Sequence, residues 1–555
     1  MRGSVVAPRN EGLTTTFELL SRSENEAATA TLLTALESEE ITIRDAALRA
    51  LLKRQSLAGH QQLLRRLHEL DPKWREILHG YRGTMSHALR DALLSGDQQS
   101  CANACQAILW FHEYDLMPAL INLLESETNG NASLAAQTGL ALADLFYEDL
   151  AGTKEFKPRQ DPRILRSHLV ATLEASVMRY ARHRRSEPIE AFAMLVPREN
   201  VTLKQLLFDP LHASYRPLSD TLTHSGRPGV LRLLMGFMDD PQAPSAALTA
   251  IAHRRDLPFV NALLRKVGGD PTAVVKRNLA HIEHFAWLQP PEYLLEKLDD
   301  EAQASVVRLV MSSGMNRLEA FETIALLVAK GTRGGRRAAA LALAQFHGNE
   351  ANQVALKALE DDDPEVQAAV VDQLRERGIP GAVSVLLNLT DSPQPAVREA
   401  ARRGLGEFSF SRYLAIFDAL EDQVRRSTGA LVRKVDPGSA PLLVEEMMAP
   451  SRRRRIRAVQ AAEAMQIVAN VEGTIVMLLT DEDHLVRLEA ARALAQGNSV
   501  EACLALRDCE HDTSVTVREA AADSLDKLLR LHPELEALAA TQYMAWAIGS
   551  QISER

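Results

Sequence analysis

Clustered guanidinium groups carry the most evident chemistry in this chain. Arg452-Arg453-Arg454-Arg455 form an unbroken run, and Arg336-Arg337, Arg402-Arg403, Arg425-Arg426 and Arg433-Lys434 are basic pairs. Such groups take carboxylates or phosphates in forked hydrogen bonds. Two cysteines, Cys101 and Cys105, have the i, i+4 spacing that a pair of metal ligands on one helix uses. Cys503 and Cys509 lack that spacing. His281, Glu283 and His284 lie together, with His253 on an earlier segment. Gly331-Thr332-Arg333-Gly334-Gly335 is glycine-rich but lacks the Lys-Ser/Thr ending and the preceding strand of a phosphate loop. No G-x-S-x-G, H-E-x-x-H or C-x-x-C occurs. The expectation is a chain without a catalytic residue, a cofactor or a bound metal.

The elements that must position these residues announce themselves as a repeat. Val486-Arg487-Leu488-Glu489-Ala490-Ala491-Arg492-Ala493-Leu494 recurs as Val517-Arg518-Glu519-Ala520-Ala521-Ala522-Asp523-Ser524-Leu525. The shared template is V-R-x-x-A-x-x-small-L, and each copy follows an acidic turn. Ile43 to Leu51 and Val397 to Leu405 fit it too. Template starts fall near 243, 275, 307, 335, 366, 397, 424, 457, 486 and 517, at spacings of roughly 27 to 33 residues. Positions one, five, eight and nine share one helical face. Small residues at five and eight let neighbouring helices approach, while the branched residues fill the layer between copies. A period of this length holding two helices predicts an all-α solenoid of stacked antiparallel hairpins, because one hairpin cannot bury its own apolar stripe. Cys101 and Cys105 fall on buried positions of a degenerate copy and read as small core residues. The histidines read as surface or partly buried imidazoles.

With its acidic turns followed by Ile43-Arg44, Val397-Arg398, Val486-Arg487 and Val517-Arg518, the chain resembles the HEAT-repeat family, and most nearly the short repeats of phycobilisome-lyase type. The resemblance implies a structural ladder between turn carboxylates and template arginines: Asp391 with Arg398, Asp481 or Asp483 with Arg487, Asp512 with Arg518, and Arg44 in the first copy. One enzyme of the family, deoxyhypusine hydroxylase, binds two irons through repeated His-Glu pairs. The only such dipeptides here, His68-Glu69 and His112-Glu113, lack its symmetric arrangement.

Arginines outside that ladder are the candidates for partner binding: Arg336, Arg337, Arg402, Arg403, Arg426, Arg452, Arg453, Arg454 and Arg455. They are expected near the exposed side of the second helix, on the concave face. Glu399, Asp372, Glu519 and Asp523 sit at the third and seventh template positions, so a mixed solvated face is the preferred reading. Only the run from Arg452 to Arg455 stands out from it.

At 555 residues the chain exceeds one ordinary core, and its 5% aromatic content favours close-packed helices over sheets. The expected organisation is a disordered tail over 1–13, repeats over 14–150, an irregular helical segment with a long loop at Asp209–Gly229 over 151–240, repeats over 241–532, and a capping helix over 533–555. A net charge of −10 argues against a dedicated nucleic-acid binder. No signal sequence and no membrane span is visible, so the cytoplasm is the default compartment. These features predict a non-enzymatic scaffold whose partner is another protein. Nucleic-acid binding through the arginines, and service as accessory subunit of a lyase-type enzyme, are the alternatives.

Overall fold

The structure, a computed structural model, describes residues 11–69, 74–81, 83–95, 97–126, 130–152, 161–269, 271–289 and 295–540. It is all-α, with no strand among the described residues. The chain divides into two compact units, Met1–Thr323 and Ile324–Arg555.

The second unit is the more regular α-solenoid. Its hairpins pair a first helix with a template-bearing second helix: Ala382–Leu389 with Pro395–Gly404, Ser439–Met447 with Arg452–Ala464, Val468–Leu478 with His484–Ala493, and Val500–Asp508 with Val515–Leu531. Second helices stack on second helices, and first on first. The template explains the stack. Val486, Ala490, Ala493 and Leu494 are wholly buried, as are Val517 and Ala521. Alanines at the crossing points let backbones come close, and the branched residues fill the space between layers. Each second helix starts sharply because its entry turn caps it. Asp363 accepts the Glu365 N–H and Asp483 the Leu485 N–H, at 3.1 and 2.9 Å. Thr332, in the glycine-rich stretch, likewise caps Arg333–Ala342, so that stretch is a turn between helices.

The first unit keeps the same stacking rule with more varied helices. Gln98–Phe111 packs on Ala132–Ala151, which packs on Glu187–Leu195, then Tyr215–His224, then Ser245–His253. Cys101 and Cys105 are buried in the first of these, as the core reading requires. The long loop expected at 209–229 is instead largely helical: Tyr215–His224 lies inside it, and Pro228–Met238 begins within it. The prolines misled because Pro217 and Pro228 occupy first turns, where the missing N–H costs nothing. Gly229 misled because it serves packing. A Cβ there would lie 2.6 Å from the Met194 carbonyl oxygen, so only glycine lets Pro228–Met238 approach Glu187–Leu195.

At the N-terminus, the helix Glu11–Arg22 begins within the tail expected over 1–13, and residues 1–10 lie outside the described residues. Of the expected capping segment, 534–540 are helical, while Tyr543, Met544 and Trp546 lie outside the described residues.

Candidate functional site

Three template arginines in the second unit share one geometry. Arg487 donates to the Asp481 and Glu482 carbonyls of its own turn, at 2.8 and 3.3 Å, and forks onto the Asp512 carboxylate of the next turn at 2.8 and 3.0 Å. Arg455 takes the Ala449 and Pro450 carbonyls in the same way and donates a single hydrogen bond to Asp481, at 3.1 Å. Arg336 takes the Gly331 carbonyl and Asp361, the latter at 2.9 Å. Each aspartate also accepts an N–H within its own turn, from Ser514, Asp483 and Asp363 respectively. One side chain therefore fastens its own turn and the following one. The ion pairing has a clear electrostatic signature. The Arg487 guanidinium holds the Asp512 carboxyl below its ordinary value, and Asp512 in turn raises Arg487.

This ladder differs from the pairs implied by resemblance. Arg398 and Arg518 grip only carbonyls of their own turns, Ser392 and Pro393 for one, Asp512 and Thr513 for the other. Asp391 pairs with Lys434 at 2.5 Å rather than with Arg398. Asp483 pairs with Arg452 at 3.1 Å rather than with Arg487. Arg44 lies over the Trp74 ring, 5.8 Å from its centroid, and has no ion pair among the described residues. The next turn offers each ladder arginine its carboxylate because stacking sets it beside the guanidinium, whereas the nearer aspartate is already turned inward to cap its helix.

The arginines expected to bind a partner are mostly engaged within the fold. Arg336 and Arg455 belong to the ladder, and their side chains are only 20% and 11% exposed. Arg337 forks onto Asp363 at 2.6 and 2.9 Å and lowers its carboxyl. Arg403 forks onto Asp372 of the preceding second helix, and Arg402 pairs with Glu399 three residues back. The run beginning at Arg452 disperses to four carboxylates: Arg452 to Asp483, Arg453 to Asp418, Arg454 to Glu446 and Arg455 to Asp481. Arg426 is exposed and forms no ion pair among the described residues, and it lies near Glu463. A basic patch is thus not what this arrangement presents. Glu463 is the group under electrostatic pressure, its carboxyl pushed up by burial and then by the Glu489 carboxylate.

The histidines gather in one place, at His253, His281 and His284, while His112 lies apart. His112 ends the helix Gln98–Phe111 in the left-handed region, at φ 53°, and its Nδ1 lies 2.7 Å from the Asp149 carboxylate, which also accepts the Tyr114 hydroxyl at 2.6 Å. Glu113, its sequence neighbour, is buried and takes the Gly83 N–H and the Ser86 hydroxyl. His253 and His284 meet edge to face at 5.1 Å beside His281 and Glu283, in a cavity of about 450 Å3. Among the described residues no three His, Cys, Asp or Glu side chains gather as a metal would need. The contact between His112 and Asp149 had no sequence signal, since the partners lie on different helices with no shared template position.

A sequence profile of HEAT repeats matches residues 322–406 and 352–435. The chain therefore carries HEAT repeats in the second unit. Among solved structures it is similar to a homology model of the full-length AP-3 complex in an intermediate open conformation, with 11% sequence identity and a TM-score of 0.29, over 99% of this chain and 100% of that one. Comparison with curated proteins gives no match.

Proposed function

We propose that the protein is a non-enzymatic scaffold that holds another protein against the second-helix face of its repeats, the concave side in solenoids of this kind. The supporting observation is the character of that face in the second unit. With Arg455 in the place of Arg487, its seventh template position runs Leu341, Asp372, Arg403, Ala430, Gln460, Arg492, Asp523. Leu341 is 64% exposed, Arg403 pairs with Asp372, and Arg492 pairs with Glu489. A surface of alternating, mutually paired charge with an exposed leucine suits the mixed chemistry of a protein partner. It does not suit a phosphate backbone, which needs cations free of carboxylates. No helix among the described residues is long and apolar enough to cross a membrane.

The test is affinity capture from the native host, with captured proteins identified. A variant carrying Leu341→Asp, Arg403→Glu and Arg492→Glu is compared with one carrying Met448→Asp and Met477→Asp, two exposed positions outside the second helices. The proposal expects a partner kept by the wild type and the second variant and lost by the first. A partner retained equally by all three places binding elsewhere.

A further inference from the structure

Beyond the helix Pro162–Met178 the chain of the first unit reads Arg179-Tyr180-Ala181-Arg182-His183-Arg184-Arg185, with no carboxylate between Glu174 and Glu187. This stretch is held in place from within. His183 donates from Nε2 to the Ser176 carbonyl at 3.1 Å, its Nδ1 accepts the Arg185 N–H at 3.1 Å, and Arg184 sits in the left-handed region at φ 52°. Arg179 forks onto Glu125, with both bonds at 3.0 Å. Arg182, Arg184 and Arg185 form no ion pair among the described residues, and the first two are exposed. The carboxylates nearest in the fold are engaged: Glu174 holds the Asn200 amide and the Thr202 hydroxyl, and Asp209 accepts the Leu211 N–H. The following turn lies against the same helix end, because the Ser214 hydroxyl donates to the Val177 carbonyl at 2.6 Å. It keeps apolar side chains in water. Leu211 is 94% exposed and Phe208 57%, and Met178, next to Val177, is 49% exposed. Three unpaired guanidinium groups thus share one end of the hairpins with three exposed apolar side chains.

That combination has a physical counterpart in an anionic bilayer. A guanidinium stays charged at physiological pH and forks onto phosphate oxygens. At physiological salt a charge acts over about 8 Å, so a surface facing this end meets its local cations rather than the net charge of −10. Apolar side chains beside basic ones add buried area to the attraction, and the two together hold a protein on an anionic leaflet. The exposure of Leu211 favours a bilayer over an acidic protein. A fluid interface takes a projecting side chain without a matching pocket, whereas a folded partner must supply one. Nucleic acid would answer the arginines and leave the apolar side chains in water. We infer that segments 178–185 and 208–214 form a peripheral docking surface for a membrane rich in anionic phospholipid. Arg182, Arg184 and Arg185 meet lipid phosphates, and Leu211, Phe208 and Met178 enter the boundary with the acyl chains. The inference goes beyond the scaffold reading and does not rest on it.

Vesicle co-sedimentation of the full chain tests it. One set of vesicles is phosphatidylcholine alone, and the other is phosphatidylcholine with phosphatidylserine at a molar ratio of about 7:3. The chain should partition at least about 10-fold more strongly onto the anionic vesicles. A triple variant, Arg182→Gln with Arg184→Gln and Arg185→Gln, should lose about that factor. Leu211→Ser should weaken partitioning by at least about 5-fold. The arginines changed form no ion pair within the described fold and Leu211 lies in solvent, so both variants should keep the wild-type melting temperature. Arg22→Gln with Arg453→Gln and Arg530→Gln removes as many charges from exposed side chains elsewhere and should leave partitioning as it was. Equal partitioning onto the two vesicles, or undiminished partitioning in either test variant, would overturn the inference. An equal loss in the control variant would overturn it too, by showing that overall charge alone is read. So would displacement from the vesicles by soluble glycerophosphoserine at the same headgroup concentration, which would mark a pocket for a free headgroup. A soluble poly-glutamate peptide that binds the wild type as tightly as the vesicles do, and fails to bind the arginine variant, would assign the surface to an acidic protein instead. Partner capture by the second-helix face is read separately, so either conclusion can fail alone.

Discussion

Breaking the Arg487–Asp512 rung should loosen the last hairpin of the second unit without unfolding its neighbours. The relevant variants are Arg487→Ala, Asp512→Ala and the two together. The side chains are 13% and 10% exposed and meet through a two-bond fork. An exposed pair contributes at most about 1 kcal/mol, and removing one partner of a fully buried pair costs about 3–5 kcal/mol. The rung is covered by its own turns but lies within one layer of the surface, so its ions are only partly desolvated. An intermediate coupling of about 2 kcal/mol is therefore expected. Arg487→Ala should cost more than the coupling, because the Asp481 and Glu482 carbonyls also lose their donor. Asp512→Ala also removes the acceptor for the Ser514 N–H, which is why the double variant is needed to isolate the pair. In a repeat array stability is a sum of nearest-neighbour contributions, so the effect should be local. Hydrogen exchange read by mass spectrometry should show protection of Val515–Leu531 falling about 30-fold, the equivalent of about 2 kcal/mol, with Pro395–Gly404 unchanged. The pH dependence has a definite sign. Asp512 titrates below its ordinary value in the fold, so its contribution is present above the unfolded value of about 3.9 and is lost as pH falls through the lower folded one. A coupling under about 0.5 kcal/mol, the level of an exposed pair, would refute the ladder as a stabilising device.

Three further outcomes follow from the same contacts. Arg453→Ala should change stability by less than about 0.5 kcal/mol, since that side chain is 81% exposed, whereas Arg455→Ala should cost about 2 kcal/mol; urea unfolding of the two variants distinguishes them. Gly229→Ala should destabilise the first unit by about 1–3 kcal/mol, because the new methyl meets the Met194 backbone as well as its side chain, and the backbone cannot turn aside; a thermal melt equal to wild type would show that the close approach is absent. Glu463→Gln should raise the melting temperature at pH 7 and lose that advantage near pH 4. The fold raises this carboxyl, so its favourable contribution exists below the unfolded value of about 4.3 and disappears as pH rises through the folded one; a gain that persists at pH 4 would be inconsistent with this origin.

The fold was legible because its core rule is local. Val486, Ala490, Ala493 and Leu494 lie within three helical turns, and their sizes alone state which face is buried and how closely a neighbour sits. The direction of the ladder was not legible from the same nine residues. Reading along the chain, the nearest aspartate to Arg487 is Asp483, in its own turn. Stacking makes Asp512 the neighbour, 25 residues on, and the same offset of 25 or 26 joins Arg336 to Asp361 and Arg455 to Asp481. An aspartate recurring 25 or 26 residues after each of these arginines was the available signal. Arg398 and Arg518 lack an aspartate at that distance, and both bind only carbonyls. In the 209–229 stretch the failure was of another kind. Proline and glycine mark turns when nothing else is known, but a first-turn proline and a close-contact glycine are equally at home in a helix, and only Met194 across the interface decides between them.

The fate of the arginines also bears on where recognition can lie. A positively charged cluster in a sequence suggests a binding surface only if its charges reach solvent unpaired. Here the helix stack supplies a carboxylate to nearly every member, because the acidic turns recur with the same period as the basic helix starts. What is engaged by the repeat period is then unavailable to a partner, and positions that break the period are available. Leu341 breaks it on the second-helix face, where its neighbours in the row are charged. The arginines of the second unit that stand out in the sequence are thus a poor complement for a polyanion, because carboxylates of the fold already meet their charge.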